Sequence, residues 1–482
     1  MKKTVIATWL TLALNMAFAN EPAKVEAEKT AQPAPKVEEV KAVVTEEAGF
    51  KASVLISNLN NPWDMVWGAD GNIWVTERQG KQISIVNPNT AEHKVLYTFE
   101  NAFATPPHQG VLGLALHPNF LKNSKEDFVY TYYTYSSTNG DKSDFGRIVR
   151  LTYDPQTQKL SDETIILDKL PAGDDHNAGR LIFGKDGKLY LTLGDNGYNQ
   201  FANSCKEIRA QNIPTVEDVA KGNYEDYRGK VLRINADGSI PEDNPRIQNI
   251  KSHVYAYGFR NPQGLVFVGN KLFNVDQGPG TDDEVNAVEA GGNYGWPYVA
   301  GYQDNQAYSY VNYSKVENCE KAPMYDGTTV DKSVTVERLK ETDAPFDNMK
   351  EPLKTFFTVP NNYNFNDPKC NGDYICWPTV ATTSIAYYPK EGKIKSFQNA
   401  LLVTGVKTGT LYRMPLDANA QQVQGEVISH FRTDNRYRMV LVSPDTSKIY
   451  VSTDNAGYIM GKDSKPTKEM ANQGAILVFE AK

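Results

Sequence analysis

A ten-residue phrase recurs along the chain and limits what it can fold into. Trp67-Gly68-Ala69-Asp70-Gly71-Asn72-Ile73-Trp74-Val75-Thr76 is echoed by Phe183-Gly184-Lys185-Asp186-Gly187-Lys188-Leu189-Tyr190-Leu191-Thr192. Weaker echoes lie at 267–275 and 442–451. Each is an apolar strand, a tight polar turn of the Asp-Gly kind and a second β-rich strand, the pattern of a hairpin. Residues 112–118 with 128–133, and 379–388 with 400–403, fit the same unit. That makes about six units at a spacing of roughly 70 residues, with long insertions. Antiparallel sheets at such intervals predict an all-β chain, a six-bladed β-propeller with four-stranded antiparallel blades, because radial packing hides strand edges. A pair of β-sandwiches is the alternative. Helical patterning is sparse; 206–220 and 333–341 are the better candidates, both in insertions.

The 482 residues, 40% of them hydrophobic, are ample for a large core, and repeats override a domain count based on length. A net charge of −7 argues against a nucleic-acid partner, since phosphate binding relies on surplus Lys and Arg. Residues 1–19 read as a secretory signal peptide: Lys2 and Lys3, an apolar run over 5–18, and Ala17-Phe18-Ala19 as cleavage site. That run is too short to span a bilayer and Asn15 interrupts it, so the chain is not expected to be membrane-embedded. Export to a bacterial periplasm is the expectation. Residues 20–48, rich in Ala, Pro, Glu, Lys and Val, read as a disordered linker, and 49–482 as the propeller domain. In an exported protein the four cysteines can pair. Cys370 and Cys376 are close enough in sequence to close a small loop; Cys205 and Cys319 then pair with each other or stay free.

The densest chemistry lies at 275–304, VDQGPGTDDEVNAVEAGGNYGWPYVAGYQD. Its carboxylates and glycines, without His or Cys, have the composition of a loop for a hard, oxygen-seeking cation such as calcium. It lacks EF-hand spacing and, on composition alone, reads equally as an acidic turn. Gly258-Phe259-Arg260-Asn261-Pro262-Gln263-Gly264, just upstream, adds a cation and two amides. If the repeats are blades, the polar residues preceding each first strand converge at one channel mouth: Asp64, His108-Gln109, Asp175-His176, Arg260-Asn261, Thr379, and Arg436 with Arg438. His176, in the polar loop Gly173-Asp174-Asp175-His176-Asn177-Ala178-Gly179-Arg180, is a serviceable general base. Asp195 ends the next strand of the same unit and could orient the imidazole. Arg260 can polarise a carbonyl, and Lys407, Arg436 and Arg438 suit carboxylates. Taken singly, His176 reads as a solvated loop residue, Asp195 as part of a plain Asp-Asn-Gly turn and the basic residues as solvated surface. No Ser nucleophile elbow, Walker loop, zinc spacing or dinucleotide fingerprint is present, so nicotinamide chemistry is unsupported.

These residues resemble the soluble pyrroloquinoline-quinone-dependent glucose dehydrogenases, from about Ser57 to the C-terminus. The shared motifs include Asp175-His176 with Arg180, Leu193-Gly194-Asp195, Gly229-Lys230-Val231-Leu232-Arg233 and Arg260-Asn261-Pro262-Gln263-Gly264. They continue through Gln277-Gly278-Pro279, Asp282-Asp283-Glu284, Gly291-Gly292-Asn293-Tyr294-Gly295-Trp296-Pro297, Tyr374-Ile375-Cys376-Trp377-Pro378-Thr379 and Asn435-Arg436-Tyr437-Arg438. The resemblance implies a six-bladed propeller that binds pyrroloquinoline quinone and calcium and oxidises C1 of an aldose to the lactone. It implies His176 as base, Asp195 as its support and Arg260 beside the quinone oxygen. Asn261, Thr379, Lys407, Arg436 and Arg438 would hold the cofactor's acidic edges. His108, Gln109, Asp175, Tyr374 and Trp377 would meet the sugar. Gly278 and Pro279 would give carbonyls to one calcium; Asp283, Glu284, Tyr294, Ala300, Tyr302, Asp304 and Glu341 would hold further, structural calcium. A homodimer and an unknown electron acceptor are also implied.

The chain departs from the family in two places. The family has Gln-Asn-Gly where this chain has His108-Gln109-Gly110, so either His108 or Gln109 takes the rim position and sugar preference is open. The Cys370–Cys376 loop is one residue shorter than expected. A calcium-dependent propeller lactonase or other hydrolase is the alternative function, though it gives Lys407, Arg436 and Arg438 no anionic partner. A binding module that has lost the chemistry is disfavoured by the presence of His176, Asp195 and Arg260.

Overall fold

The computed structural model describes residues 49–106, 108–122, 125–138, 144–366, 373–461 and 464–482. The expected signal peptide and linker lie outside them. Among the described residues the strands form six four-stranded antiparallel sheets arranged as a six-bladed β-propeller. Each innermost pair is one of the hairpins read from the sequence. Blade 1 opens with Pro62–Trp67 and Ile73–Glu77, blade 2 with Val111–Leu116 and Phe128–Tyr135, and blade 3 with Leu181–Phe183 and Leu189–Leu193. Blade 4 opens with Pro262–Val268 and Lys271–Asp276, blade 5 with Thr382–Tyr388 and Ala400–Gly405, and blade 6 with Tyr437–Val442 and Lys448–Thr453. The fourth strand of blade 6 is Phe50–Ile56, the first strand among the described residues, which pairs with Ile476–Ala481 and closes the ring.

The cores lie between blades, and strand alternation explains why. Leu401 and Val403 pack with Phe273 and Val275 of blade 4, while Leu402 between them packs with Tyr437 and Val440 of blade 6. Ile73 and Val75 face Met439 and Tyr450 of blade 6; Trp74 faces Leu114 and Val129 of blade 2. Every sheet is thus apolar on both faces and buries both against its neighbours.

One irregularity repeats. In five blades the innermost strand carries an extra residue at its start: between Pro62 and Asp64, Val111 and Leu114, Pro262 and Gly264, Thr382 and Ser384, and Tyr437 and Met439. A bulge re-aims a side chain. Here the extra residues include Trp63, Gln263, Thr383 and Arg438, and the first three meet Arg180 of blade 3. Arg180 is ion-paired with Asp64 and lies 4.3 Å from the Trp63 ring centroid. It donates to the carbonyls of Gln263 at 3.0 Å and Thr383 at 3.3 Å. Arg438 in turn donates to Gln263 Oε1 at 2.8 Å, and the Thr383 hydroxyl donates to the Tyr437 carbonyl at 2.9 Å.

The expected helices are mostly absent. Among the described residues only Val216–Lys221 is α-helical, capped by Thr215, whose hydroxyl accepts from the Asp218 N–H while its own N–H donates to the Asp218 carboxylate, and ended by Gly222 in the left-handed region. Pro214 disfavours helical geometry at the residue before it, which separates this helix from 206–213, where none forms. At 333–341, Val334, Thr335 and Val336 favour extended backbone, and Arg338–Leu339 pairs with Tyr310–Val311 instead. Cys205 and Cys319 form a disulfide that ties two insertions together. Cys376 is also disulfide-bonded; its expected partner, Cys370, lies outside the described residues.

Candidate active site

The hairpins deliver their polar ends to one cavity of about 370 Å³ at the channel mouth. That volume suits a small molecule. His108, Asp175, His176, Arg260, Thr379, Lys407, Arg436 and Arg438 all line it, as do Tyr374 and Trp377. Asp64 does not; it is buried on the axis with Arg180. Gln109 does not line it either. Its side chain is buried, donating to the Gly173 carbonyl and accepting from Thr105, so His108 alone takes the rim position. Asn261 is fully buried behind the wall, where its amide donates to Gln277 Oε1 at 2.9 Å.

His176 is held as a base. Its Nδ1 lies 2.7 Å from Asp195 Oδ1. Asp195 is fixed in turn by the Trp296 indole N–H at 2.9 Å and the Gly197 N–H at 2.8 Å. A carboxylate accepts only, so Nδ1 carries the proton and Nε2 keeps a lone pair. Nε2 lies 3.3 Å from Gln200 Nε2 and 3.7 Å from Asp175 Oδ1. The loop that carries the ring sits in an uncommon conformation, with φ of +39° at His176 and +51° at Ala178. It docks there because Gly194 has no Cβ, which would stand 2.0 Å from the His176 carbonyl oxygen.

The cation set carries surplus charge. Arg438 grips Asp454 through Nε at 2.9 Å and Nη2 at 2.6 Å, and Arg436 reaches the same carboxylate at 3.2 Å. Those guanidiniums and that of Arg78 hold Asp454 far below the usual carboxylate range despite its burial. Burial brings Lys407 down to about 8, against the pull of Asp283 and Asp373; its ammonium donates to the Thr379 hydroxyl. Arg260 donates to Gln200 Oε1 at 2.9 Å and the Gln277 carbonyl at 3.2 Å. Buried donors Arg78 Nε, Arg260 Nε and Trp377 Nε1 have no partner among the described residues. A cavity walled by unspent donors and cations suits an acceptor-rich polyanion.

The sequence reading missed part of this wall. Gln200 and Phe201 come from the insertion after Asp195, and Arg78, Gln79 and Asp454 follow second strands of blades 1 and 6. Gln200 had no signal beyond its place in a polar run. Arg78 directly follows the first hairpin, the one position from which it could have been found.

The expected metal residues separate into two places. Gly278, Pro279 and Asp283 line the cavity. The Asp283 carboxylate accepts from the N–H groups of Gly278 at 2.9 Å, Val380 at 2.8 Å and Ala381 at 2.6 Å, pinning the turn to blade 5. Asp283 is therefore a clamp for the turn. Glu284, Tyr294, Ala300, Tyr302, Asp304 and Glu341 lie away from the cavity. Glu341 accepts from the N–H groups of Ala300 at 3.1 Å and Asn305 at 2.7 Å, and Glu284 from Gly301 at 2.7 Å. Burial raises Glu341 to about 8, with Asp304 and Asp282 adding like charge. Tyr294 can contribute only backbone: its hydroxyl donates to the Ala287 carbonyl and its ring stacks on Phe259. Among the described residues no three His, Cys, Asp or Glu side chains group as a metal centre. The donor chemistry, buried carboxylates among irregular backbone, nonetheless fits a hard cation that takes carbonyl oxygens.

Gly278 is held tightly: a Cβ there would lie 1.9 Å from the Thr281 carbonyl oxygen and 2.7 Å from that of Asp282. Gly278→Ala is expected to lower stability by about 1–3 kcal/mol through overpacking, read as a lower urea midpoint. An unchanged midpoint would show that the turn yields freely.

The comparisons converge on one family. The Glucose / Sorbosone dehydrogenase family model matches residues 59–335 and 360–460. Quinoprotein glucose dehydrogenase B of Acinetobacter calcoaceticus is 41% identical over 439 residues, 90% of this chain and 91% of the relative. The PQQ-bound aldose sugar dehydrogenase of Streptomyces coelicolor superposes with a TM-score of 0.60 at 22% identity, over 90% of this chain and 99% of that one. The apo-form soluble aldose sugar dehydrogenase of Escherichia coli gives 0.61 at 21%, over 90% and 100%. At those identities the two structures speak for the fold. The family match, running through the blades that carry His176, Arg260, Lys407 and Arg438, settles the rest: this chain belongs to the glucose/sorbosone dehydrogenase family.

Proposed function

We propose that the chain is an exported aldose dehydrogenase that uses pyrroloquinoline quinone and calcium to oxidise the C1 hydroxyl of glucose or another aldose to the lactone. One observation carries the reading: His176, its Nδ1 spent on Asp195, presents Nε2 to a cavity that Arg260, Lys407, Arg436 and Arg438 also line. Nε2 takes the hydroxyl proton as C1 is oxidised. Arg260, already oriented by Gln200 and the Gln277 carbonyl, faces developing negative charge. Lys407, Thr379, Arg436 and Arg438 bind carboxylates, with Asn261 supporting the wall through Gln277. Tyr374, Trp377 and Phe201 give the sugar apolar faces beside Asp175 and His108. When bound, the quinone supplies a hydride acceptor and the calcium at Gly278 and Pro279 a Lewis acid. Glu284, Asp304 and Glu341, with carbonyls of Tyr294, Ala300 and Tyr302, would hold structural calcium.

The relative at 41% identity is named a quinoprotein glucose dehydrogenase, which supports the cofactor class. The Cys205–Cys319 disulfide and the leader-like 1–19 support export, with 20–48 as tether and 49–482 as the catalytic domain. No helix among the described residues is long and apolar enough to cross a membrane. An electron acceptor from outside must reoxidise the cofactor at each turnover, and the family suggests a homodimer. The lactonase reading supplies Lys407, Arg436 and Arg438 with no anionic ligand beyond the Asp454 carboxylate that the two arginines share.

Reconstituting the chain with calcium and pyrroloquinoline quinone is expected to give dye reduction on adding glucose or another aldose. Chelating the calcium is expected to abolish it. No reduction across a panel of aldoses would overturn the proposal.

A further inference from the structure

We propose that Arg78 is a further carboxylate-binding residue of the cavity, meeting a carboxylate of the quinone cofactor or of an acidic aldose. This rests on the reading of the cavity as the site of a quinone-dependent aldose dehydrogenase.

The packing singles Arg78 out. Six arginines are buried among the described residues: Arg78, Arg180, Arg228, Arg233, Arg260 and Arg438. Four are paired with carboxylates: Arg180 with Asp64, Arg228 with Glu225, Arg233 with Asp186 and Asp243, and Arg438 with Asp454. Arg78 and Arg260 have no carboxylate partner among the described residues, and both line the cavity. A cation taken out of water without a counter-charge is costly, so a ligand anion is the natural complement. Arg260 at least meets two acceptors, Gln200 Oε1 and the Gln277 carbonyl. Arg78 meets one: Nη1 donates to the Gln109 carbonyl at 3.2 Å, while its buried Nε has no acceptor.

The side chain springs from a fixed backbone. Arg78 directly follows the strand Ile73–Glu77. Its N–H donates to the Asn61 carbonyl at 2.9 Å, and its own carbonyl accepts from the Val111 N–H at 3.2 Å. Blade 2 approaches that carbonyl closely because Gly110 has no Cβ, which would stand 2.2 Å from the oxygen. Glu77, one residue earlier, accepts from the Asn60 N–H at 2.7 Å and the Ser84 hydroxyl at 2.6 Å. The guanidinium is thus delivered to the wall before a ligand arrives, which lowers the ordering cost of binding.

The neighbours leave its charge surplus. Arg436 and Arg438 are close enough to act on Arg78 as like charges, and the carboxylate among the three, Asp454, already accepts from both of them. Burial brings Arg78 down to about 10 against the pull of Asp454, so it stays cationic at neutral pH. Three guanidiniums around one spent carboxylate attract an anion, and a planar guanidinium matches the fork of a carboxylate. On the other side, Arg78 acts as a like charge on His108 at the rim. It therefore stands between the cations suited to the cofactor and the rim suited to the sugar, and either ligand can bring the carboxylate.

The test is Arg78→Met in the full chain, with Arg78→Lys beside it. Cofactor-free protein with calcium is titrated with pyrroloquinoline quinone, following the quinone absorption. Affinity is expected to fall about ten- to a hundredfold in Arg78→Met, the range for a hydrogen bond to a charged group, and by less in Arg78→Lys. The urea midpoint of cofactor-free Arg78→Met is expected to hold or rise, because an uncompensated buried charge is gone. If the sugar brings the carboxylate, quinone affinity stays level and KM for glucuronate rises about tenfold while that for glucose is unmoved. Quinone affinity and glucuronate KM both unchanged would overturn the proposal. Equal losses of affinity in the two variants, with a lower urea midpoint in both, would make Arg78 a packing residue and overturn it as well. Trimesate, a flat aromatic tricarboxylate, gives a readout independent of the quinone: it is expected to raise the thermal midpoint of the unaltered cofactor-free protein more than that of Arg78→Met. If the unaltered protein binds no quinone, the cofactor reading fails instead, and an equal trimesate shift in the two proteins would then overturn the role of Arg78.

Discussion

His176→Gln is expected to lower aldose-dependent turnover by about a thousandfold, within the range that a positioned general base supplies. The substituted amide keeps much of the imidazole's shape but has no titratable lone pair. Asp195, buried with Trp296 and Gly197 as donors, would still hold its place. The C1 hydroxyl proton would then have only water to accept it. Cofactor binding should persist, since the groups suited to its carboxylates, Lys407, Arg436 and Arg438, lie on blades 5 and 6. The measurement is dye reduction under saturating sugar, with the cofactor's absorption as the binding control. Turnover within tenfold of the unaltered protein would remove His176 from the role of base.

Arg180→Met should give the largest loss of stability, about 3–5 kcal/mol, the cost of leaving a buried charge unpaired. Arg180 is 2% exposed and ion-paired with Asp64, which is 1% exposed. It also serves the carbonyls of Gln263 and Thr383 and lies over Trp63. One side chain of blade 3 therefore contacts blades 1, 4 and 5 across the axis. Methionine fills most of the volume but leaves the Asp64 charge without its counter-ion and takes a donor from two carbonyls. The guanidinium chloride midpoint should fall accordingly, and Asp64→Leu combined with Arg180→Met should lose less than the two single losses added together. Strict additivity would mean that Asp64 and Arg180 do not act as a pair.

The bulges explain why this tie and the candidate site lie next to each other. An extra residue at the start of an innermost strand turns Trp63, Gln263, Thr383 and Arg438 toward the axis. Arg438 then spans both networks, joining Gln263 on the axis to Asp454 in the cavity wall. A change at Gln263 should thus be felt in both.

The sequence by itself determined the repeating unit. Tight polar turns of the Asp-Gly kind are local chemistry, readable from a few neighbours; they located four of the six innermost hairpins, and the β-rich runs alone located the pairs of blades 2 and 5. The motifs around His176, Arg260, Gly278 and Arg438 carried the family. Tertiary structure alone decided which polar residues share a space. Gln109 and Asn261 turn out of the cavity while Gln200, Phe201 and Arg78 turn into it, because bulges and insertions set those directions. Nor did composition reveal that Asp283 would be spent on three backbone N–H groups. These placements depend on ring closure, where Phe50–Ile56 pairs with Ile476–Ala481. Contacts between residues hundreds of positions apart leave no trace in any short stretch, so local propensity could name the parts but not their assembly.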